Sequence, residues 1–271
     1  MTLRAAVAVI AVALATTLAG CGSTGDPAGA PTSGTTAATG GLGGFVQDIG
    51  AELNEYWGAE WGDGWRPALI TAPETEAQTA CGTIDAADSG PAYCSGDDTM
   101  VLPLAFFRDN LVGADDAGAN DAAVAGVVGH EFGHHLQALS GIEAEITAAQ
   151  AEVPEFANLL SVANELNADC LMGVWMSSVD DEKRLEPGDL DEVLAILARI
   201  GDDQLSADAG VDADAATFDH GTSEQRRTWF AVGYEQQDVA ACNAVFGGIG
   251  DGTLQGGLEA GADQANGAAR G

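Results

Sequence analysis

The residues best suited to chemistry are His130-Glu131-Phe132-Gly133-His134. Residues four apart on a helix share a face, so a helical backbone here sets the imidazoles of His130 and His134 side by side, where one Zn²⁺ can bridge them. Glu131 then flanks the ion without binding it. Its carboxylate can take the proton of a zinc-bound water as that water attacks a carbonyl. So short a pattern recurs by chance, and its surroundings decide its weight. Asn120 or Asp121 offers an N-cap, Val124, Val127, Val128, Phe132, Leu136 and Leu139 recur at helical spacing, and Gly141 stands where helices stop. The spacing predicts a helix from about Asp121 to Leu139 with the motif well inside it. Val127 shares a stripe with Glu131 and His134, so the ionisable groups face inward, where burial without a metal or partners is costly.

A catalytic zinc takes three protein ligands and keeps one position for water. The candidate third ligand is Glu165, in Asn164-Glu165-Leu166-Asn167-Ala168-Asp169. Phe156, Leu159, Leu160, Ala163, Leu166, Cys170 and Val174 form an apolar stripe that predicts a second helix, from about Pro154 to Ser178. Glu165 and Asp169 share a face of it. One carboxylate can bind zinc while the other, Asp169, accepts a hydrogen bond from the far nitrogen of a ligand histidine. In so acidic a chain an isolated pair of this kind reads as a solvated face. Two helices joined by a partly helical connection favour the metal reading.

The blocks His130-Glu131-Phe132-Gly133-His134-His135, Glu165-Leu166-Asn167-Ala168-Asp169-Cys170, Ile200-Gly201-Asp202-Asp203 and His220-Gly221-Thr222-Ser223-Glu224-Gln225-Arg226, with Trp229-Phe230, follow one another in an order that resembles the bacterial putative neutral zinc metallopeptidase family. The resemblance runs from about Trp65 to Phe246. It implies an α+β, mostly helical, zincin-like fold, with His130 and His134 as zinc ligands, Glu131 as catalytic base and, by similarity to the gluzincins, Glu165 as third ligand. A histidine brought over the cleft hydrogen-bonds the tetrahedral oxyanion in other gluzincins. His220 is the candidate for that task, with a structural role as its alternative; Tyr93 and Tyr234 are weaker candidates. His135 points about 100° away from His134 around the helix and reads as a packed or surface histidine.

Before the motif, Phe45, Ile49, Leu53 and Trp57 predict an amphipathic first helix, and Leu69-Ile70, Tyr93-Cys94 and Met100-Leu102 predict short strands, the last two joined by the turn Ser95-Gly96-Asp97-Asp98. A small N-terminal antiparallel sheet is therefore expected before the metal helix. Leu104 to Leu111 reads as a short helix. Pro187-Gly188-Asp189 opens another, with Leu190, Val193, Leu194 and Leu197 on one face and Gly201 at its end. Asp202 to Asp219 reads as an exposed acidic loop; its aspartates invite a calcium reading, but the EF-hand pattern is missing. Thr222-Ser223-Glu224-Gln225 resembles a capping box opening a last long helix.

Residues 1–20 carry Arg4 and an apolar run too short to span a bilayer, ending in Leu18-Ala19-Gly20-Cys21. This is the form of a secretory signal with a bacterial lipobox, and it predicts an exported lipoprotein anchored through Cys21 at the outer face of the membrane. Residues 21–44 then form a Gly/Ala/Thr-rich tether reaching on the order of 25 Å. The folded domain is expected over 45–246, roughly 200 residues and enough for a substantial core. A Gly/Ala-rich tail at 247–271 is expected to be disordered.

A formal net charge of −33 argues against nucleic acid and against anionic lipid met through a basic face. Apart from Cys21, the chain holds Cys81, Cys94, Cys170 and Cys242, an even number suited to an oxidising compartment. Cys81–Cys94 and Cys170–Cys242 are the favoured pairs among three connectivities; Cys170 as a metal ligand is the rival reading, on a poorer face. The expected function is a zinc metallopeptidase of the cell envelope acting on peptides or proteins. The alternative is a non-catalytic zinc-binding lipoprotein using the same site structurally or as a binding module.

Overall fold

One uninterrupted helix, α3 (Asp121–Ser140), carries the HExxH residues. The structure is a computed structural model describing residues 40–112, 120–247 and 258. The expected leader and lipobox, most of the tether and most of the tail lie outside the described residues. Among the described residues, no helix is long and apolar enough to cross a membrane.

Helix α1 (Gly41–Trp61) buries Phe45, Ile49, Leu53 and Trp57 on one stripe, as their spacing predicts. It begins earlier than expected, so that Gly41–Gly44 belong to the domain and not to the tether. Leu42 packs against the core there, and that contact offsets the poor helix propensity of glycine.

The chain then forms β1 (Leu69–Thr71), a polar hairpin of β2 (Glu76–Thr79) and β3 (Gly82–Asp85), and the strands β4 (Ala92–Cys94) and β5 (Thr99–Val101). Strands β4 and β5 are antiparallel across the expected turn, but β1 pairs with β5 in parallel, Leu69 opposite Thr99. The sheet, in order β1-β5-β4, is thus mixed rather than antiparallel throughout. The excursion through β2 and β3 carries the chain away and back, which lets β5 run in the direction of β1. Strand β4 lies at the sheet edge, and its tip is tied to the β2–β3 turn by the Cys81–Cys94 disulfide.

Helix α2 (Leu104–Phe107) continues into a π-helical turn at Arg108–Val112. After α3, Gly141 in the left-handed conformation stops one helix and starts the next, α4 (Ile142–Glu152). A 3₁₀ turn at Pro154–Phe156 leads into α5 (Ala157–Asp181), the helix that carries Glu165 and Asp169. Then follow α6 (Asp189–Arg199), α7 (Asp202–Asp208), α8 (Ser223–Gln236) and α9 (Val239–Cys242). Helix α8 opens on the full capping box of Thr222 and Gln225.

The segment Asp202–Asp219 is not simply a loop, since it contains α7 and a 3₁₀ turn at Ala215–Thr217. Asp202 and Asp203 sit in the first turn of α7, where negative charge faces the positive end of the helix dipole. In the expected tail, Leu258 is buried in the core and its carbonyl accepts a hydrogen bond from Trp229 Nε1 at 3.2 Å. The second disulfide, Cys170–Cys242, joins α5 to α9, so Cys170 is not a metal ligand.

Candidate metal centre

Helices α3 and α5 touch at Gly133 and Ala168. A Cβ on Gly133 would lie 2.8 Å from Ala168 Cα and 3.0 Å from its carbonyl oxygen, so backbone meets backbone at this crossing. Gly133 stands between His130 and His134, and Ala168 between Glu165 and Asp169. Close approach at the small pair therefore drives the two flanking pairs together. His130 Nε2 lies 3.1 Å from Glu165 Oε2, and His134 Nε2 lies 3.4 Å from Glu165 Oε1. One ligand atom from each of the three residues falls within 4.8 Å of the others.

The far nitrogens of both imidazoles are held. His130 Nδ1 is 2.7 Å from Asp169 Oδ1, and His134 Nδ1 is 2.8 Å from Gln137 Oε1. Gln137 is fixed in turn by donating through Nε2 to the Asn164 carbonyl and to Asn167 Oδ1. With Nδ1–H donated in each ring, the Nε2 lone pairs both face the Glu165 carboxylate. Lone pairs opposed to a carboxylate repel unless protons or a cation stand between them. Two imidazoles, one carboxylate and converging lone pairs form a donor set that fits Zn²⁺. Charge leads to the same ion. Glu131, Glu165 and Asp169 place three carboxylates around the single guanidinium of Arg226, and a divalent cation brings that buried group to neutrality.

Without a cation, protons fill the role. Burial opposes charge on His130, but Asp169 and Glu165 outweigh it and the imidazole is pushed up to about 10. His134 is also raised, its burial overcome by Glu165. Glu165 is held well below the usual carboxylate range, because the histidines outweigh its burial. Glu131 goes the other way, since burial raises it more than His134 and His130 pull it down.

Arg226 is the residue that sequence reading did not single out. It is 1% exposed, donates through Nε to Asp169 Oδ2 at 2.8 Å and through Nη2 to Asp169 Oδ1 at 2.9 Å, and lies 4.0 Å from Glu165 Oε2. Its position in the fourth block, four residues after the N-cap of α8, was the available signal.

The remaining candidates separate clearly. A cleft of about 540 Å³ is lined by His130, Glu131, His134, Glu165, Arg226, Tyr93 and His220, among others. His220 is thus brought to the same cleft, with Nδ1 2.6 Å from Asp219 Oδ1 and 3.4 Å from Asp202 Oδ1. Tyr93 lines the cleft, but its hydroxyl is bonded to Asp98 at 2.8 Å and lies 3.0 Å from His135 Nδ1. The Tyr234 hydroxyl donates to Asp180, and Tyr234 does not line the cleft. His135 is fully buried, its Nε2 2.8 Å from the Arg66 carbonyl, and is a packing residue as expected.

A family described as "Putative neutral zinc metallopeptidase" matches residues 5–245 of the chain. The chain belongs to this family. The chain is 37% identical over 209 residues to the uncharacterized protein YpfJ of Escherichia coli K12, covering 73% of this chain and 70% of that one. It is 34% identical over 196 residues to the uncharacterized protein Rv2575 of Mycobacterium tuberculosis H37Rv, covering 66% and 65%. The uncharacterized protein Mb2605 of Mycobacterium bovis matches to the same extent. No solved structure matches the chain.

Proposed function

We propose that this chain is a zinc-dependent peptidase that hydrolyses peptide bonds at the outer face of a bacterial membrane, anchored by lipid at Cys21. His130, His134 and Glu165 hold the ion, Asp169 orients His130, and Glu131 is the general base. The observation that carries the reading is the convergence of both Nε2 atoms on Glu165, with Glu131 buried beside them in an open cleft.

When bound, Zn²⁺ supplies a Lewis acid that polarises a carbonyl and acidifies water. Glu131 takes the proton of the attacking water and returns it to the leaving amine. Its burial raises the carboxyl above its ordinary value, against the pull of His134 and His130. His220, steadied at Nδ1 by Asp219 and Asp202, offers its other nitrogen to the oxygen on which charge develops. The lipid anchor rests on the Leu18-Ala19-Gly20-Cys21 sequence.

A purely structural zinc site is closed by four protein ligands. Among the described residues three donors converge here, and the cleft opens beside them, which favours the enzyme over a non-catalytic zinc lipoprotein. Glu131→Gln tests it: the variant is expected to keep zinc and lose hydrolysis of a peptide mixture. Hydrolysis at the wild-type rate would refute the assignment.

A further inference from the structure

On one side of the histidines the cleft is lined by the polar Gln137, Glu143 and Asn164 together with a mixed wall of Pro91, Ala92, Tyr93 and Phe106. On the other side of the histidines it is lined by Val127, Met172, Ile196, Leu197, Ile200 and Leu205, aliphatic side chains and a thioether from four helices and the turn between α6 and α7. This apolar half adjoins the metal centre directly. Val127 lies one turn before Glu131 on α3, and the Ile200 carbonyl is 3.5 Å from Nη1 of Arg226, whose Nη2 is 4.0 Å from Glu165.

The recess is built rather than incidental. Its outer wall is the corner where α6 passes into α7, and that corner is clamped to the start of α8. Asp202 Oδ2 accepts the backbone N–H groups of Asp219, His220 and Gly221. Asp203 Oδ1 accepts from the Ser223 backbone N–H, and the single Ser223 hydroxyl proton lies within reach of both Asp203 Oδ1, at 2.8 Å, and the Ala198 carbonyl, at 2.7 Å. Gly201 permits this contact, because a Cβ there would collide with the Ser223 amide nitrogen. Leu205, 47% exposed, and the half-buried Ile200 are the accessible members of the recess, against the buried Val127, Met172, Ile196 and Leu197. An apolar recess that is held open beside a polar reaction centre favours a ligand with an apolar side chain at a set distance from the reacting bond.

We propose that this recess is the specificity pocket of the enzyme and selects peptides carrying a bulky aliphatic or aromatic side chain at one position adjoining the scissile bond. The inference rests on the peptidase reading above and names its substrate class. The experiment is digestion of a defined peptide library by the zinc-loaded full chain, with cut positions read by mass spectrometry, followed by kcat/KM on matched leucine and glycine peptides. The expected result is cleavage with leucine or phenylalanine favoured over glycine and aspartate by about tenfold or more at one position. Leu205→Lys and Ile200→Ala are expected to shrink the leucine-to-glycine ratio severalfold while zinc content stays at the wild-type level. Zinc-dependent cleavage without an apolar preference, or a ratio that neither variant moves, overturns the pocket and leaves the peptidase standing. A chain that holds zinc but cuts nothing in the library overturns the peptidase, and the pocket with it.

Discussion

Arg226 grips Asp169 with two nitrogens while Asp169 holds His130, so a guanidinium buried on α8 reaches the candidate metal centre through one carboxylate. Both partners are sealed from solvent. Such a pair is costly to bury and costlier to break, because without Arg226 the buried Asp169 loses two charge-assisted hydrogen bonds and keeps the one from His130. Asp169 stays ionised because Arg226 and His130 outweigh its burial. An ionised Asp169 keeps the His130 proton on Nδ1 and the ligand lone pair on Nε2.

Arg226→Leu is therefore expected to destabilise the protein by about 3–5 kcal/mol, read from urea denaturation. Asp169→Asn should weaken zinc binding about 10- to 100-fold, measured by competition with a chelating dye. Combining the two removes both charges and should recover part of the stability lost with Arg226 alone. A double variant no more stable than Arg226→Leu would show that the pair is not the unit described here.

Helices α3 and α5 were legible in the sequence because each carries its two candidate site residues four apart within an apolar stripe, a pattern set by local geometry. The pairing of Arg226 with Asp169 spans 57 residues and leaves no periodic trace. The direction of β1 against β5 was hidden for a similar reason, since it depends on where the chain returns after β2 and β3. That hairpin itself escaped notice because Glu76, Gln78, Thr79 and Thr83 give it no apolar alternation. Helix α7 was masked by aspartates, which are poor inside a helix and favourable in its first turn.

Metal removal should make the protein sensitive to alkali. His130 is raised from an unfolded value of 6.5 to about 10, so its protonation stabilises the metal-free fold fully below pH 6.5, and that contribution is lost as pH climbs toward 10. Glu165 has the opposite sign: its lowered value stabilises the fold above the ordinary carboxylate range and the benefit disappears in acid. Thermal melts in chelator should thus fall off between pH 6.5 and 10, whereas zinc-loaded protein, whose imidazoles hold the ion in place of protons, should not. At pH 7, zinc uptake should release at least one proton, seen as a dependence of the calorimetric heat on buffer ionisation. Equal alkaline profiles with and without zinc would count against the site.

The disulfides should differ in worth. Cys170–Cys242 spans a separation of 72 residues and Cys81–Cys94 one of 13. Constraining the unfolded chain over the longer loop gives about 4 kcal/mol, against about 3 kcal/mol for the shorter. Paired alanine substitutions compared in denaturant should show the larger loss for Cys170 and Cys242, and the reverse order would mean that native-state contacts of β4 dominate.

Gly133→Ala offers the most direct test of how the fold makes the site. The added methyl meets Ala168 at its Cα, Cβ and carbonyl oxygen, all within 3.0 Å, and backbone atoms have no rotamer through which to yield. Helix α3 or α5 must shift outward by several tenths of an ångström. The substitution is neutral in charge, favours helix on propensity and removes no ligand, so a purely local effect would be small or stabilising. Because His130 and His134 sit on one side of this contact and Glu165 and Asp169 on the other, separation at the crossing lengthens every cross-helix distance in the centre at once. Zinc affinity is therefore expected to fall at least about tenfold, with stability lowered by about 1–3 kcal/mol. Retained affinity at wild-type strength would mean that the donors find one another without the crossing, and the link from sequence to site would have to be sought elsewhere.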